Sequence, residues 1–249
     1  MRSILPISSL ALVLTLFAQD KPKEKPIVRY AQPLVLERGK KEKVILRGAK
    51  LEGIKEIAST QKNVTFGKPS AGKKVALPNN VPEQKFGETE VEVEIDLKAE
   101  FIESVLTLTA TTANGNSEPF SIAVATKRLN ETEPNDSIDK AQEIERGIWI
   151  EAVIGRERDI DCFRFAGKKG EKIAVAIVAA KIGSPADLHL TLCDDKKRVL
   201  KIVDDVDGKP DPSLTIELPA DGTYTIVVIE ANDLGHAAFG YRLRVDAAK

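Results

Sequence analysis

The 249-residue chain has little of the chemistry that most active sites use: two cysteines, two histidines, one tryptophan and one methionine, which is the first residue. That scarcity argues against soft-ligand metal centres and against most imidazole- or thiol-based catalysis. Aromatic residues make up only 5% and the formal net charge is −1. Nucleic-acid binding usually needs a basic footprint or a stacking platform, and neither is present, so no nucleic-acid partner is expected. Long apolar runs are also scarce. Hydrophobic residues at 42% and charged ones at 30% describe an ordinary globular chain, neither disordered nor embedded in a membrane. Carboxylates are what the chain has in quantity.

One uncharged apolar stretch, residues 4–18, follows Arg2, and charge resumes at Asp20, Lys21, Lys23 and Lys25. This is signal-peptide grammar over residues 1–19. The stretch is shorter than the roughly 20 residues of a membrane-spanning helix, and no later run comes close, so no transmembrane segment is expected. The reading is an exported protein, periplasmic or extracellular, with about 230 residues left to fold into about two domains. Export also places Cys162 and Cys193 where a disulfide can form. They sit in different predicted strands, so bonding requires those strands to be neighbours; two free, small residues are the alternative.

Residues 20–26 read as a linker rich in Lys and Pro. Beyond it the pattern alternates with period two. Val91, Val93, Ile95 and Leu97 interleave with Glu90, Glu92, Glu94 and Asp96, as in a strand with one buried and one wet face. Further strands are expected at 34–36, 44–47 and 54–58, with a hairpin of 105–110 and 120–124 around Asn114-Gly115-Asn116. Residues 27–127 therefore read as a small β-sandwich. The charged segment 127–135, containing Pro134, breaks the pattern and marks the domain boundary. Eight strands then follow, at 149–154, 162–165, 172–180, 188–193, 199–203, 214–218, 224–229 and 241–245. They predict a second sandwich, of jelly-roll type, over 128–249. The one helical candidate is a turn or two at 137–143, with Asp136 or Ser137 as its cap. Residues 28–127 carry a net charge of +2 and residues 128–249 a net charge of −5, so the acidity lies in the second half.

Much of that acidity is grouped. Glu131-Thr132-Glu133-Pro134-Asn135-Asp136 is followed by Asp159-Ile160-Asp161 just before a strand. Calcium takes six to eight oxygen ligands and tolerates irregular geometry. Carboxylates folded onto one another without a cation repel and titrate upward, so a cation is the natural resolution if the fold closes these segments together; solvated loop acids are the alternative.

The same residues carry a family resemblance. Residues 131–245 resemble the bacterial pre-peptidase C-terminal domain, a secreted β-sandwich related to the collagen-binding domain of clostridial collagenases. Besides the two acidic groups, the carriers are Cys162-Phe163-Arg164-Phe165, Lys169-Gly170-Glu171, Gly183-Ser184-Pro185-Ala186-Asp187, Asp204-Asp205, Pro219-Ala220-Asp221-Gly222-Thr223-Tyr224 and Tyr241-Arg242-Leu243. In calcium-binding members the acidic segment and the Asp-x-Asp ligate the metal. Carried over, the resemblance implies a structural calcium at Glu131, Glu133, Asn135, Asp136, Asp159 and Asp161. More weakly, residues 27–126 resemble an immunoglobulin-like domain of the transcription-factor-immunoglobulin type, through Glu37-Arg38-Gly39, Val44-Ile45-Leu46-Arg47-Gly48 and the turn 114–119. The expected fold is all-β, with an immunoglobulin-like sandwich followed by a jelly roll.

Other motifs fail on inspection. Gly67-Lys68-Pro69-Ser70-Ala71-Gly72-Lys73-Lys74 nearly spells a phosphate-binding loop, but Lys74 replaces the magnesium-holding hydroxyl and no strand-loop-helix unit surrounds it. Asp205, Asp207 and Gly208, set in EF-hand register, put Val203 at the first ligand position and Leu214 at the twelfth. His189 alternates outward on a strand and His236 lies in a glycine-flanked loop, with no nucleophile elbow or zinc-protease helix nearby. Carboxylate-only glycosidase chemistry generally wants aromatic platforms, which are few here. The sequence reads as an exported non-catalytic binding or accessory protein whose partner is a protein, a polysaccharide or a cell-envelope surface. The alternative is an accessory or maturation module acting in trans with a secreted peptidase or other hydrolase.

Overall fold

The computed structural model describes residues 24–77, 86–205 and 210–248. The export segment 1–19 and most of the linker 20–26 lie outside them, as does part of the loop after Asp205 that was weighed as an EF-hand. No helix among the described residues is long and apolar enough to cross a membrane.

The first half is built on strands β1 (Ile27–Gln32), β2 (Val35–Glu37), β3 (Lys40–Ala49), β4 (Glu56–Ala58), β5 (Val64–Phe66), β6 (Lys73–Lys74), β7 (Thr89–Leu97), β8 (Val105–Thr112), β9 (Gly115–Asn116) and β10 (Phe120–Ala125). One sheet runs β1-β3-β7-β5 and the other β2-β10-β8-β4, with β6 against β7 and β9 against β8. Strand β2 runs parallel to β10 while β8 lies antiparallel on the other side of β10. This is an immunoglobulin-type strand order. Alternation drives it. In β7 every second residue from Thr89 to Leu97 is buried. The wet face carries Glu90, Glu92 and Glu94, paired with Lys73, Lys43 and Lys41 across neighbouring strands. The stretch that nearly spells a phosphate loop lies along the edge of β7, where Gly67 N and Ser70 N donate to Glu94 O and Glu92 O.

In the second half, β11 (Arg128–Asn130), β13 (Trp149–Val153), β15 (Lys172–Val178), β18 (Ser213–Glu217) and β20 (Gly240–Ala247) form one sheet in the order β11-β13-β20-β15-β18. Strands β12 (Gln142–Glu143), β14 (Ile160–Gly167), β16 (Leu188–Cys193), β17 (Val199–Val203) and β19 (Gly222–Glu230) form the other, in the order β12-β14-β19-β16-β17. Leaving out the edge strands β11 and β12, the eight remaining strands divide as β13-β20-β15-β18 and β14-β19-β16-β17, the two-Greek-key order of a jelly roll. All eight strands expected from the sequence are present. The core between the sheets is filled by Phe163, Phe165, Leu188, Leu190, Leu192, Ile226, Tyr241 and Leu243, all essentially inaccessible to solvent.

Three local expectations change, and the two readings of the cysteines resolve to one. The segment 127–135 is not only a break, because it contains β11, which pairs parallel with β13. The strand expected through residue 180 stops at Val178, since Ala179 N and Ala180 N donate to Asp211 Oδ1 at 2.8 and 2.7 Å and start a short 3-10 turn, Ala180–Ile182. The helical turn is reduced to the 3-10 segment Ile138–Lys140, and Ser137, its N-terminal flank, makes no side-chain capping bond. Cys162 and Cys193 are both buried and free. Their strands β14 and β16 each pair with β19 and not with each other. Two inter-strand spacings amount to roughly 9.5 Å, beyond the reach of a disulfide.

The halves share a core. Tyr30, Leu34, Val35 and Phe86 of the first half belong to the apolar cluster of the second. Leu34 N donates to Glu151 Oε1 at 2.6 Å, and Arg128 lies 2.6 Å from Glu42 Oε1 and 3.5 Å from Glu151 Oε2.

Candidate metal centre

The acidic residues grouped in the sequence meet at one rim of the second sandwich. Asp159 and Asp161 stand at the start of β14, where alternation would point both to one side. Strand β11 anchors the other group: Glu131 N donates to Glu151 O at 2.8 Å, and Asn135 O accepts from Cys162 N at 3.1 Å, so the segment lies along β14. Thr132 N is held by Gln142 Oε1 at 2.7 Å.

Carboxylate oxygens of Glu133, Asp159 and Asp161 lie within 4.8 Å of one another, with Asp159 and Asp161 buried and Glu133 exposed. Several of these side chains are oriented through one oxygen. Glu131 Oε1 accepts from Val153 N at 2.8 Å, Glu133 Oε2 from Asn135 N at 2.9 Å, Asp159 Oδ2 from Gly155 N at 2.6 Å, and Asp161 Oδ2 from the Tyr241 hydroxyl at 2.6 Å. Their second oxygens are left over. Glu131 Oε2, Asp159 Oδ1 and Asp161 Oδ1 are buried without a hydrogen bond among the described residues, as are both side-chain polar atoms of the fully buried Asn135. Among the described residues Arg156 pairs with this group: its Nη2 is 3.1 Å from Asp159 Oδ1, and it also pairs with Asp136.

The electrostatics follow. Burial raises the Glu131 carboxyl well above the usual carboxylate range, and the charge of Asp161 raises it further. Burial likewise raises Asp161, against the stabilising hydrogen bond from Tyr241. Tyr241 is itself pushed up by burial and by the carboxylates around it. Buried polar atoms normally find partners, and like charges this close resist ionising together. A hard cation with six to eight oxygen ligands answers both problems, so the residues present fit calcium.

Of the six residues nominated by resemblance, Glu133, Asp159 and Asp161 form the tight group and Glu131 and Asn135 border it with unsatisfied atoms. Asp136 instead turns to the exposed Arg156. Two participants were not assigned a role from sequence. Tyr241 falls on the inward face of its strand, and a hydroxyl in an apolar core needs a partner, which is the signal that could have found it. Arg156 has no such signal. A second acidic group, Asp187, Asp204 and Asp205, also gathers within 4.8 Å, but all three are exposed.

Residues 159–230 match the family model of the bacterial pre-peptidase C-terminal domain. A probable subtilase-type serine protease of Deinococcus radiodurans is 37% identical over 115 residues, which are 45% of this chain and 16% of that protein. The chain thus spans only a small part of that relative. Among solved structures, the pre-peptidase C-terminal domain of a collagenase from Bacillus anthracis aligns over 47% of this chain and all of that one, with a TM-score of 0.35 and 14% identity. The secreted serine protease VesC from Vibrio cholerae aligns over 90% of this chain and 51% of that one, with a TM-score of 0.27 and 7% identity. The family match begins at Asp159, in the Asp-x-Asp of the acidic rim, and ends at Glu230, at the close of β19, so the stretch that is similar to a bacterial pre-peptidase C-terminal domain holds two of the three clustered carboxylates, Asp159 and Asp161.

Proposed function

We propose that this chain is an exported, non-catalytic binding or accessory module whose second sandwich is stabilised by calcium, working in the periplasm or outside the cell. The observation that carries the reading is the rim of Glu131, Glu133, Asn135, Asp159 and Asp161, in which buried oxygens of Glu131, Asn135, Asp159 and Asp161 accept no hydrogen bond among the described residues and only that of Asp159 has an ion-pair contact, with Arg156. Glu133, Asp159 and Asp161 would hold the metal, with Glu131 and Asn135 completing its surroundings and Tyr241 steadying Asp161. Calcium held there would neutralise these carboxylates, and through Glu133, Asp159 and Asp161 it would tie the acidic segment to the start of β14. The angle between the halves has separate support, from the shared apolar core and from Arg128.

Thermal unfolding in calcium and in chelator tests the metal. Calcium at ten times its dissociation constant would add about 1.4 kcal/mol, roughly 3–6 °C for a chain of this size. Asp159→Ala and Glu133→Ala should each abolish most of that increment. An increment unchanged in both variants, or no calcium response in the parent, overturns the proposal. The partner would be a protein, a polysaccharide or a cell-envelope surface. A second reading, an accessory or maturation module acting in trans with a secreted peptidase, is favoured by the 115-residue similarity to a subtilase-type protease. Co-purification of a stable hydrolase would support it, and hydrolase-free binding to envelope or matrix would support the first.

A further inference from the structure

A cleft of about 540 Å³ runs along the seam between the two sandwiches, lined from the first by Arg38, Ser104, Val105, Thr126 and Lys127, and from the second by Ile148, Trp149, Arg242 and Arg244 among others. Its lining holds four cationic side chains and no acidic one, although the second half of the chain is acidic overall. Two of the four are already engaged, Lys127 with Glu145 at 3.2 Å and Arg244 with Asp246 at 2.9 Å. The other two have donors to spare. Arg38 spends Nη2 on the carbonyls of Ile102 and Glu103, while its Nε is buried without a hydrogen bond among the described residues. Arg242 has both Nε and Nη1 buried and unpaired among the described residues.

Arg242 is also held in place. Its guanidinium carbon lies 4.6 Å from the ring centre of Trp149, the chain's one tryptophan, and that of Arg244 lies 5.6 Å away. On β13 Trp149 stands two residues before Glu151, and on β20 Arg244 stands two residues after Arg242, the cross-strand partner of Glu151. Asp211 and Glu151 are the acids that act on Arg242; Glu151 Oε1 accepts from Leu34 N, while its Oε2 lies 3.5 Å from Arg128 Nε and accepts no hydrogen bond among the described residues. A guanidinium stays charged when desolvated and presents a fixed fork of donors, a geometry suited to one oxyanion such as a carboxylate. The rest of the lining says what carries that carboxylate. Val105, Ile148 and Trp149 offer apolar surface and Ser104 and Thr126 offer hydroxyls, which suits a sugar ring with its C–H faces and hydroxyl rim. The volume falls in the range of small-ligand sites.

We propose that this seam is a binding site for an acidic saccharide, with the carboxylate of a uronate residue docked on Arg242 and Arg38 and its ring lying against Val105, Ile148 and Trp149. The inference rests on reading the chain as a binding module, and it narrows the partner to a carboxylated polysaccharide. Because the site takes residues from both halves, neither half alone contains it.

Trp149 supplies the readout, as the single tryptophan beside the docking group. Trigalacturonate, the neutral galactose trimer and sodium sulfate are titrated into calcium-equilibrated protein while tryptophan fluorescence is followed. Trigalacturonate should give a saturable change that weakens at least tenfold in Arg242→Gln and in Arg38→Gln, and weakens with added salt. Arg242→Lys, which keeps charge without the fork, should lie between. The neutral trimer should give no saturable change. The proposal is overturned if trigalacturonate gives none at millimolar concentration, if the neutral trimer binds equally well, if folded Arg242→Gln and Arg38→Gln both keep parental affinity, or if sulfate competes as tightly as the trisaccharide. Thermal unfolding of the same samples with calcium and chelator reports folding and keeps the two proposals apart. A calcium response without saccharide binding rejects the cleft alone, and saccharide binding without a calcium response rejects the metal alone.

Discussion

Asp161 shows how much of the acidic rim depends on single atoms. One of its oxygens accepts from the Tyr241 hydroxyl at 2.6 Å and the other is buried without a hydrogen bond among the described residues. Removing the donor in Tyr241→Phe leaves a second buried oxygen unsatisfied, so that variant should lose about 1–3 kcal/mol in chemical denaturation and bind calcium about tenfold more weakly. The rim also sets a pH dependence. Burial and mutual repulsion raise the folded-state pKa of Asp161 to about 7 and of Glu131 to about 9. The metal-free native protein therefore holds more protons than the unfolded chain above the ordinary carboxylate range. This contribution is fully present at acid pH and is lost as pH rises through those values. In chelator the melting temperature should fall between pH 6 and pH 9, and saturating calcium should flatten the fall; a profile that rises in chelator contradicts the account. Burial also pushes the Cys162 thiol up to about 12, and Cys193 is raised for the same reason. A thiol reagent should find no reactive group in the native protein at pH 8 and two after denaturation. Residue identity alone was enough to group the acids, but it could not show that Asp136 would turn to Arg156.

At the scale of elements, the strands were largely legible because alternation with period two is a local property that survives any later packing. The misreadings arise where a distant side chain intervenes. Asp211, 31 residues beyond Ala180, takes the amides that would have continued β15. Strand β11 was hidden in a charged, Pro-containing segment because three residues show no period, and its parallel pairing with β13 is made only in the folded chain. The turn that ends the 3-10 segment after Ala179 adds a close approach. Gly183 has φ of +80°, and a Cβ there would stand 1.8 Å from the carbonyl oxygen of Arg29 in the first sandwich. Gly147 has the same φ with nothing within 4 Å of the corresponding position. Gly147→Ala should cost about 1–2 kcal/mol, the strain of the left-handed backbone alone, and Gly183→Ala distinctly more. Equal losses in urea titrations would show that the approach of Arg29 to this turn is not constrained.

Across the whole molecule, Arg128 ties the halves together. Its side chain is largely buried between Glu42 of the first sandwich and Glu151 of the second. Arg128→Ala leaves both carboxylates without their cation at a buried seam, which should cost roughly 3–5 kcal/mol. The parent should unfold in one calorimetric transition and the variant in two or in one much broader; an unchanged single transition means that the shared apolar core suffices. The seam cleft lies beside this junction, so its assembly depends on the same packing. What the sequence by itself determined is the all-β class, the two-sandwich organisation, the inward faces and the identity of the acidic residues, because hydrophobic period and composition are written locally. Only the tertiary structure decided which of those residues meet. It set Tyr241 against Asp161, kept Cys162 from Cys193 by placing β19 between their strands, and brought Arg38 to the same cleft as Arg242. Such meetings depend on strand pairing and sheet packing between residues far apart in the chain, and no local pattern records them.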